Sequence, residues 1–328
     1  MTVLVTGGAG YIGSHMVLEL RDHGEKVIVL DNLSTGFDWV VPEDVPLFVG
    51  ETGDQSLISS IIRAHDVQSI IHFAASIVVP DSVLDPLSYY LNNTVNSRAM
   101  IEAAVRGGVK NIIFSSTAAV YGTPDRMPIC EDDRMNPESP YGTSKLMTEY
   151  MLRDAAGAHG LKYVILRYFN VAGADPRMRA GQSSARATHL IKIAAEAVVG
   201  KRDGMSVFGT DYATPDGTCI RDYIHVRDLA KAHSAALDHL RDGGTSGTFN
   251  CGYGHGFSVL EVIEMVKKVS GKDFPVTTAP RRAGDPAGLV ADNTRIRSTL
   301  NWTPELDDLE TIVRHALEWE EKLKSRNR

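Results

Sequence analysis

Val3-Leu4-Val5-Thr6-Gly7-Gly8-Ala9-Gly10-Tyr11-Ile12-Gly13 decides the fold. A short apolar run predicts a strand, the glycines a tight turn, and the amphipathic residues Ser14 to His23 a helix. Glycines at 7, 10 and 13 let backbone N–H groups approach a pyrophosphate at the positive end of that helix. A second apolar run, Val27 to Leu30, ends in Asp31-Asn32, 18 residues after Gly13. A carboxylate there accepts hydrogen bonds from a ribose diol and repels a 2′-phosphate, which favours NAD over NADP. The spacing is G-x-x-G-x-x-G, and glycines alone signal only a turn. Strand, glycines, helix, second strand and terminal acid in this order predict a dinucleotide site.

Working outward, apolar strand candidates recur at 2–6, 27–30, 46–49, 69–73, 111–115 and 163–167. Helical patterns fall around 11–23, 55–64, 86–106 and 141–159. The alternation predicts an α/β fold, a Rossmann-type doubly wound parallel sheet with helices on both faces. Its ligands lie at the carboxyl ends of the strands, where His72-Phe73-Ala74-Ala75 and Ser115-Ser116-Thr117 emerge. Past residue 168 the loops lengthen and gain Gly and Pro, as in 170–181, 208–217 and 279–288. Helical patterns continue near 186–200, 226–241, 258–269 and 308–325. We therefore expect a cofactor domain over 1–168 and a smaller substrate lobe over 169–328, with some segments crossing back to the main sheet. Residues 322–328 read as a helix end and a solvated basic tail.

Composition narrows the function. The net charge of -7 over 328 residues argues against a nucleic-acid or membrane-surface binder. No apolar run approaches the roughly 20 residues that span a bilayer. A strand starting at residue 2 leaves no room for a signal peptide, so a cytoplasmic location is expected. Cys130, Cys219 and Cys251 show no C-x-x-C spacing and read as reduced, buried or half-buried thiols. The eleven histidines form no ligand motif, so no metal is expected.

In Ser139-Pro140-Tyr141-Gly142-Thr143-Ser144-Lys145, Tyr141 and Lys145 stand four apart at the start of a helix with Pro140 in its first turn. A phenol titrates near 10 and is a poor base at neutral pH, but a fixed cation favours the phenolate. The pair suits proton transfer in the oxidation of an alcohol. Alone, the spacing fits equally a core tyrosine with a solvated lysine.

With Thr6 to Gly13, Ser116-Thr117, Tyr141-x-x-x-Lys145, Tyr168-Phe169-Asn170 and Arg221-Asp222-Tyr223-Ile224-His225-Val226, the chain resembles the extended short-chain dehydrogenase/reductase family nearly end to end, and within it the UDP-hexose 4-epimerases. The resemblance implies NAD-mediated oxidation and re-reduction at sugar C4, interconverting UDP-glucose and UDP-galactose. It makes Tyr141 the base, Lys145 the cation that depresses its pKa, and Thr117, where many relatives carry Ser, the hydroxyl that polarises the 4-oxygen. It carries cofactor contacts to Gly7, Gly10, Tyr11, Ile12, Gly13, Asp31, Asn32, Glu51, Thr52, Phe73, Ala74, Ala75, Asn92, Ser115, Tyr141, Lys145 and Tyr168. Substrate contacts fall on Thr117, Tyr141, Asn170, His189, Leu190, Phe208, Arg221, Arg282 and Asp285. A homodimer built from the helices at 86–106 and 141–159 is also implied.

The chain departs from the family pattern at several positions. Ile77 stands where relatives have a cofactor-contacting lysine, Glu51 replaces an Asp, and His189 replaces an Asn. Leu289 lies where a bulky Tyr excludes N-acetylated sugars and smaller residues admit them, which leaves another UDP-sugar (N-acetylhexosamine, uronate or pentose) open. Ala118-Ala119 after Thr117 lack the acid and base that a nucleotide-sugar dehydratase needs. A non-catalytic NAD-binding regulator is the remaining alternative, and the intact Thr117, Tyr141 and Lys145 argue against it.

Overall fold

The computed structural model describes residues 1–184, 188–282 and 284–326. Its strands are β1 (Thr2–Thr6), β2 (Lys26–Asp31), β3 (Leu47–Val49), β4 (Val67–His72), β5 (Asn111–Thr117), β6 (Lys162–Tyr168), β7 (Asn170–Ala172), β8 (Met205–Phe208), β9 (Ile220–Arg221), β10 (Tyr223–His225), β11 (Gly247–Cys251), β12 (Phe257–Ser258), β13 (Val276–Ala279) and β14 (Gly288–Leu289). The helices are α1 (Tyr11–Asp22), α2 (Gln55–His65), α3 (Val79–Leu84), α4 (Pro86–Tyr89), α5 (Asn96–Arg106), α6 (Pro140–His159), α7 (Leu190–Val198), α8 (Val226–Arg241), α9 (Val259–Ser270), α10 (Thr294–Leu300) and α11 (Leu309–Arg326).

Seven parallel strands form the main sheet in the order β11-β6-β5-β4-β1-β2-β3. Side chains alternate across it, as the two-residue period of a strand requires. Val3 and Val5 enter one apolar core with Met16, Val17 and Leu229, while Leu4 enters the other with Ile58, Ile61, Met100 and Leu152. Leu4 is 0% exposed, which contributes roughly 2 kcal/mol. The chain winds outward from β1 to β3, then returns past β1 to β4. That reversal opens a crevice between β1 and β4 at their carboxyl ends. Thr6 is level with Leu30 and His72, His72 with Phe114, and Thr117 with Tyr168, so the predicted site segments emerge along one edge.

Later segments join this layer system: β11 extends the sheet beside β6, and α8 packs against α1. The sequence reading placed no strand past 167 and so missed β7 to β14, among them β7 in the stretch it took as a loop over 170–181, and it also missed α3 and α10. The helix expected at 186–200 is observed as α7, and residues 185–187 lie outside the described set. The single helix expected at 86–106 contains a π-helical turn, Tyr90–Val95, between α4 and α5. Smaller sheets, β12-β9-β14, β13-β8 and β10-β7, form from strands past residue 168. Among the described residues no helix is long and apolar enough to cross a membrane, and no group of His, Cys, Asp and Glu is placed to hold a metal ion. Cys219 and Cys251 are buried and Cys130 half-buried, all as free thiols.

Candidate active site

The turn after β1 is shaped by its glycines. Gly7 sits at φ +73°, and a Cβ there would lie 2.6 Å from the Ala74 backbone nitrogen. A Cβ on Gly13 would lie 2.0 Å from the Gly7 carbonyl oxygen. Gly10 starts α1 in an extended conformation without a side-chain cap, so the first-turn residues Tyr11, Ile12 and Gly13 present backbone N–H groups at the positive end of the helix. Asp31, 7% exposed at the end of β2, accepts from Ala9 N at 2.9 Å and Leu33 N at 2.8 Å. Its burial pushes its carboxyl above the usual range. The cradle, which a Cβ would fill, and the acid beside it fit a dinucleotide.

Around that cradle, Asn32 donates to the exposed Glu51 at 3.0 Å, and Thr52 is buried. Phe73, Ala74 and Ala75 follow β4, with Phe73 and Ala74 N bonded to the Thr6 carbonyl. Asn92, in the π-helical turn, donates to Ser76 Oγ at 2.9 Å. Ile77 is half exposed and brings no charge to this side. Tyr11 reaches the segment after β7, donating to the Gly173 carbonyl at 2.7 Å.

The proposed chemistry sits where β5 meets α6. Ser139 caps α6 by accepting from Gly142 N, and Pro140 occupies the first turn, so Tyr141 and Lys145 share the face toward β5. The Thr117 hydroxyl stands beside the Tyr141 phenol, where it favours the ionised form. Lys145 Nζ donates to the Ser115 carbonyl at 2.9 Å and lies 4.9 Å from the Phe114 ring centroid. Ser115 Oγ and Tyr168 OH are 2.6 Å apart. Tyr141 is 7% and Lys145 3% exposed. Burial pushes the Tyr141 phenol up to about 12, opposed by the Thr117 hydroxyl. It pushes Lys145 down to about 7, opposed by the charge of Glu149.

His72, 1% exposed at the end of β4, is not a proton carrier. Ser97 Oγ donates to the Asn93 carbonyl at 2.6 Å and so accepts from His72 Nε2 at 2.8 Å; His72 Nδ1 then accepts from Thr6 Oγ1 at 2.6 Å. That fixes the neutral Nε2–H tautomer, and burial holds its pKa down to about 3.

The substrate-side residues fall in two groups. A cleft is lined by Tyr11 from the start of α1 together with Asn170, Gly173, His189, Leu190 and Tyr223 from later segments. His189 caps α7 at its N-terminus, with a buried Nδ1 that has no hydrogen-bond partner among the described residues. The second group is charged. Arg221 on β9 pairs with Asp285, while the Arg282 guanidinium stacks 3.8 Å from the Phe208 ring centroid. Ala283, between these segments, lies outside the described residues. Leu289, on β14 beside Arg221, packs with Ala118, Val120, Tyr121 and Leu146 together with Met135 and Phe169.

Sequence reasoning missed the polar groups behind Thr117 and Lys145. Ser116 Oγ donates to Glu149 at 2.6 Å, and Arg167 grips the same carboxylate with Nε at 2.9 Å and Nη2 at 2.6 Å. The available signal was Glu149 itself, one helical turn beyond Lys145 on the same face.

Comparison with known proteins agrees with this geometry. The profile of the NAD dependent epimerase/dehydratase family matches residues 3–252. A UDP-glucose 4-epimerase of Azospirillum brasilense is 57% identical over 98% of this chain and 92% of its own. The crystal structure of UDP-glucose 4-epimerase from Brucella ovis in complex with NAD superimposes with a TM-score of 0.94, at 43% identity over 97% of this chain and 98% of that one. The UDP-Glc/GlcNAc 4-epimerase of Campylobacter jejuni gives 0.85, at 49% identity over 98% and 99%. With the cofactor cradle, the Tyr141–Lys145 pair and these likenesses spanning nearly the whole chain, the protein belongs to the NAD-dependent epimerase/dehydratase family.

Proposed function

We propose that this protein interconverts UDP-glucose and UDP-galactose by reversible oxidation at sugar C4. The observation that carries the reading is Thr117, Tyr141 and Lys145 meeting at the carboxyl edge of the sheet, beside a cradle built for a dinucleotide. Gly7, Gly10, Tyr11, Ile12 and Gly13 would hold the pyrophosphate, and Asp31 the adenosine ribose, with Asn32, Glu51 and Thr52 flanking the adenine end. Phe73, Ala74, Ala75, Asn92, Ser115 and Tyr168 would line the nicotinamide end. When bound, NAD supplies a reversible two-electron acceptor for C4 and one positive charge.

The protein's own groups move the proton. Thr117 orients the 4-oxygen and Tyr141, as phenolate, takes the 4-hydroxyl proton and later returns it to the opposite epimer. Lys145 stabilises the phenolate by its charge. The 4-keto sugar needs freedom to turn over, while its UDP anchor stays fixed. Arg221 and Arg282 suit the diphosphate, Asp285 a ribose hydroxyl, Phe208 the uracil face, and Asn170, His189 and Leu190 the remaining contacts. Ala118 and Ala119 offer no second acid or base, so the reaction stops at epimerisation.

Leu289 favours a second substrate as well. It lies in an apolar cluster with Met135 and Phe169, a wall without the bulk of an aromatic ring at that position, which suits UDP-N-acetylhexosamines.

We also propose a homodimer. Leu84, Leu87, Leu91, Val95, Met147 and Tyr150 expose between 41 and 84% of their surface from α3 to α6, a set of large apolar side chains of the kind that marks a protein–protein contact. A cytoplasmic location accords with the three free thiols.

The test is incubation of purified protein with UDP-galactose and separation of the products. UDP-glucose is expected from the wild type, whereas Tyr141→Phe should lose at least about a hundredfold in kcat, the scale of a lost general base. Near-normal turnover in that variant would remove Tyr141 from the role.

A further inference from the structure

We infer that Glu149 is a positioning residue that keeps Lys145 charged and fixes the end of β5 on which Lys145 and Thr117 depend. This rests on the proposed epimerase chemistry for its functional meaning, but not for its physical content.

Glu149 is 0% and Arg167 1% exposed. Ser116 and Arg167 give its carboxylate three hydrogen bonds, and Arg153 Nη2 lies 3.2 Å from Oε2. Ser116 lies between Ser115, whose carbonyl receives Lys145 Nζ, and Thr117, whose hydroxyl stands beside the Tyr141 phenol. Arg167 continues the network through Nη1 to Tyr121 OH at 2.8 Å, and Tyr121 OH donates to Asn250 at 2.7 Å. The carboxylate thus ties α6 to the adjacent strands β5 and β6, directly behind the reacting groups.

A buried ion pair is a poor device for stability alone, because an apolar pair of similar volume does as well without the desolvation cost. Its placement gives it another use. The titratable groups around Lys145 are Glu149 one turn along its helix and His72 at the end of β4, with Tyr141 one turn earlier on α6 and Tyr168 bonded to Ser115, whose carbonyl receives Lys145. His72 is held neutral by its tautomer, and the tyrosines are phenols in a site that disfavours their ionisation. Among the described residues in that set, Glu149 is the one anion. Arg167 and Arg153 face Glu149 from its other partners and dilute its field without removing it. Substrate cannot touch a carboxylate with no exposed surface, so its influence passes through Lys145.

The test follows the Lys145 Cε resonance against pH by NMR in isotope-labelled protein, assigned by its absence in Lys145→Met. Glu149→Gln removes the charge and keeps the shape. Because that leaves Arg167 unpaired, Glu149→Gln/Arg167→Met provides a variant with neither charge. An opposite charge one helical turn away moves a pKa by about one to three units, and sharing with two arginines points to the lower end. The Lys145 midpoint should therefore fall by about one pH unit in Glu149→Gln, a tenfold loss of charged lysine above the midpoint, and by less in the double variant, which also loses the repulsion of Arg167. In parallel, the alkaline limb of kcat for UDP-galactose should move to lower pH by the same amount, with KM unchanged. A Lys145 midpoint left unmoved in Glu149→Gln overturns the inference, whatever its thermal stability. A wild type that leaves UDP-galactose unconverted overturns the functional proposal instead, and the lysine titration still decides the role of Glu149.

Discussion

Gly13→Ala tests the cofactor cradle most directly. The added methyl would lie 2.0 Å from the Gly7 carbonyl oxygen, 2.8 Å from the Gly7 carbonyl carbon and 2.8 Å from Gly8 Cα. All three are backbone atoms, so no side-chain rotation relieves the overlap. Nor is Gly7 free to retreat: its N–H donates to the Leu30 carbonyl at 2.8 Å, and its own Cα faces Ala74. Overpacking costs about 1–3 kcal/mol, and a contact needing more than about 1 Å of backbone movement belongs at the upper end. For a chain of this size about 3 kcal/mol lowers Tm by roughly 4 °C. The displaced turn should also weaken NAD by at least about tenfold, since about 1.4 kcal/mol of lost fit is enough. Gly157→Ala is the control: it lies in α6 with no atom within 4 Å of the new Cβ. There alanine should stabilise by about 0.5–1 kcal/mol. Thermal melts with and without NAD, with equilibrium dialysis for affinity, read both effects. If Gly13→Ala melted within about 1 °C of the wild type and held NAD equally well, the packing argument for the cradle would be wrong.

Two further outcomes follow from groups outside the cradle. Leu87→Glu with Leu91→Glu places charge on the most exposed apolar face and should convert a dimer to a monomer in sedimentation velocity; unchanged sedimentation would refute the proposed interface. His72, His15 and His233, 1%, 3% and 0% exposed, are held by burial down to about 3, 4 and 4. Below about 6.5 the unfolded chain takes up protons that these folded rings refuse, so stability is full above that pH and falls as pH drops toward 4, by about 1.4 kcal/mol per pH unit for each ring. Urea midpoints that stay level between pH 6.5 and 4.5 would contradict the neutral assignment.

The parts of the molecule legible in the sequence are those governed by local order. Val3 to Val5, Val27 to Leu30 and Ile112 to Phe114 are apolar runs between turn and helix signals, and they are the buried central strands. Asp31 and Tyr141 follow because each stands at a fixed offset from a strand or helix start. β11 was missed because Gly247 to Cys251 mixes Gly, Thr and Asn into a strand whose identity comes from pairing with β6. The kink in the 86–106 helix was invisible for a related reason. Asn93 bonds Ser76 N at 2.8 Å, Ser76 O at 2.9 Å and Ser144 Oγ at 3.0 Å, contacts made by distant segments. Charged partners were equally hidden: Arg221 and Asp285 each suited a nucleotide, yet they pair with one another across 64 positions.

The weakness of Tyr-x-x-x-Lys as a sequence signal has a physical counterpart in the site. Burial works against both residues and dominates the balance, leaving the phenol at about 12 and the ammonium at about 7, which favours a neutral and inert pair at neutral pH. Four-residue spacing supplies proximity but no charge. What opposes burial comes from elsewhere in the fold: the Thr117 hydroxyl on the phenol, the Ser115 carbonyl on the ammonium, and the Glu149 charge one turn along. Two of these three lie on β5, and Ser116 between them binds the third. The strand that delivers the polarising hydroxyl therefore also fixes the electrostatics of the base. A substitution on β5 that shifts Ser115 or Ser116 should disturb proton transfer even though neither side chain takes the proton. The reactive element is accordingly the junction of β5 with α6, and the tyrosine and lysine are reactive only within it.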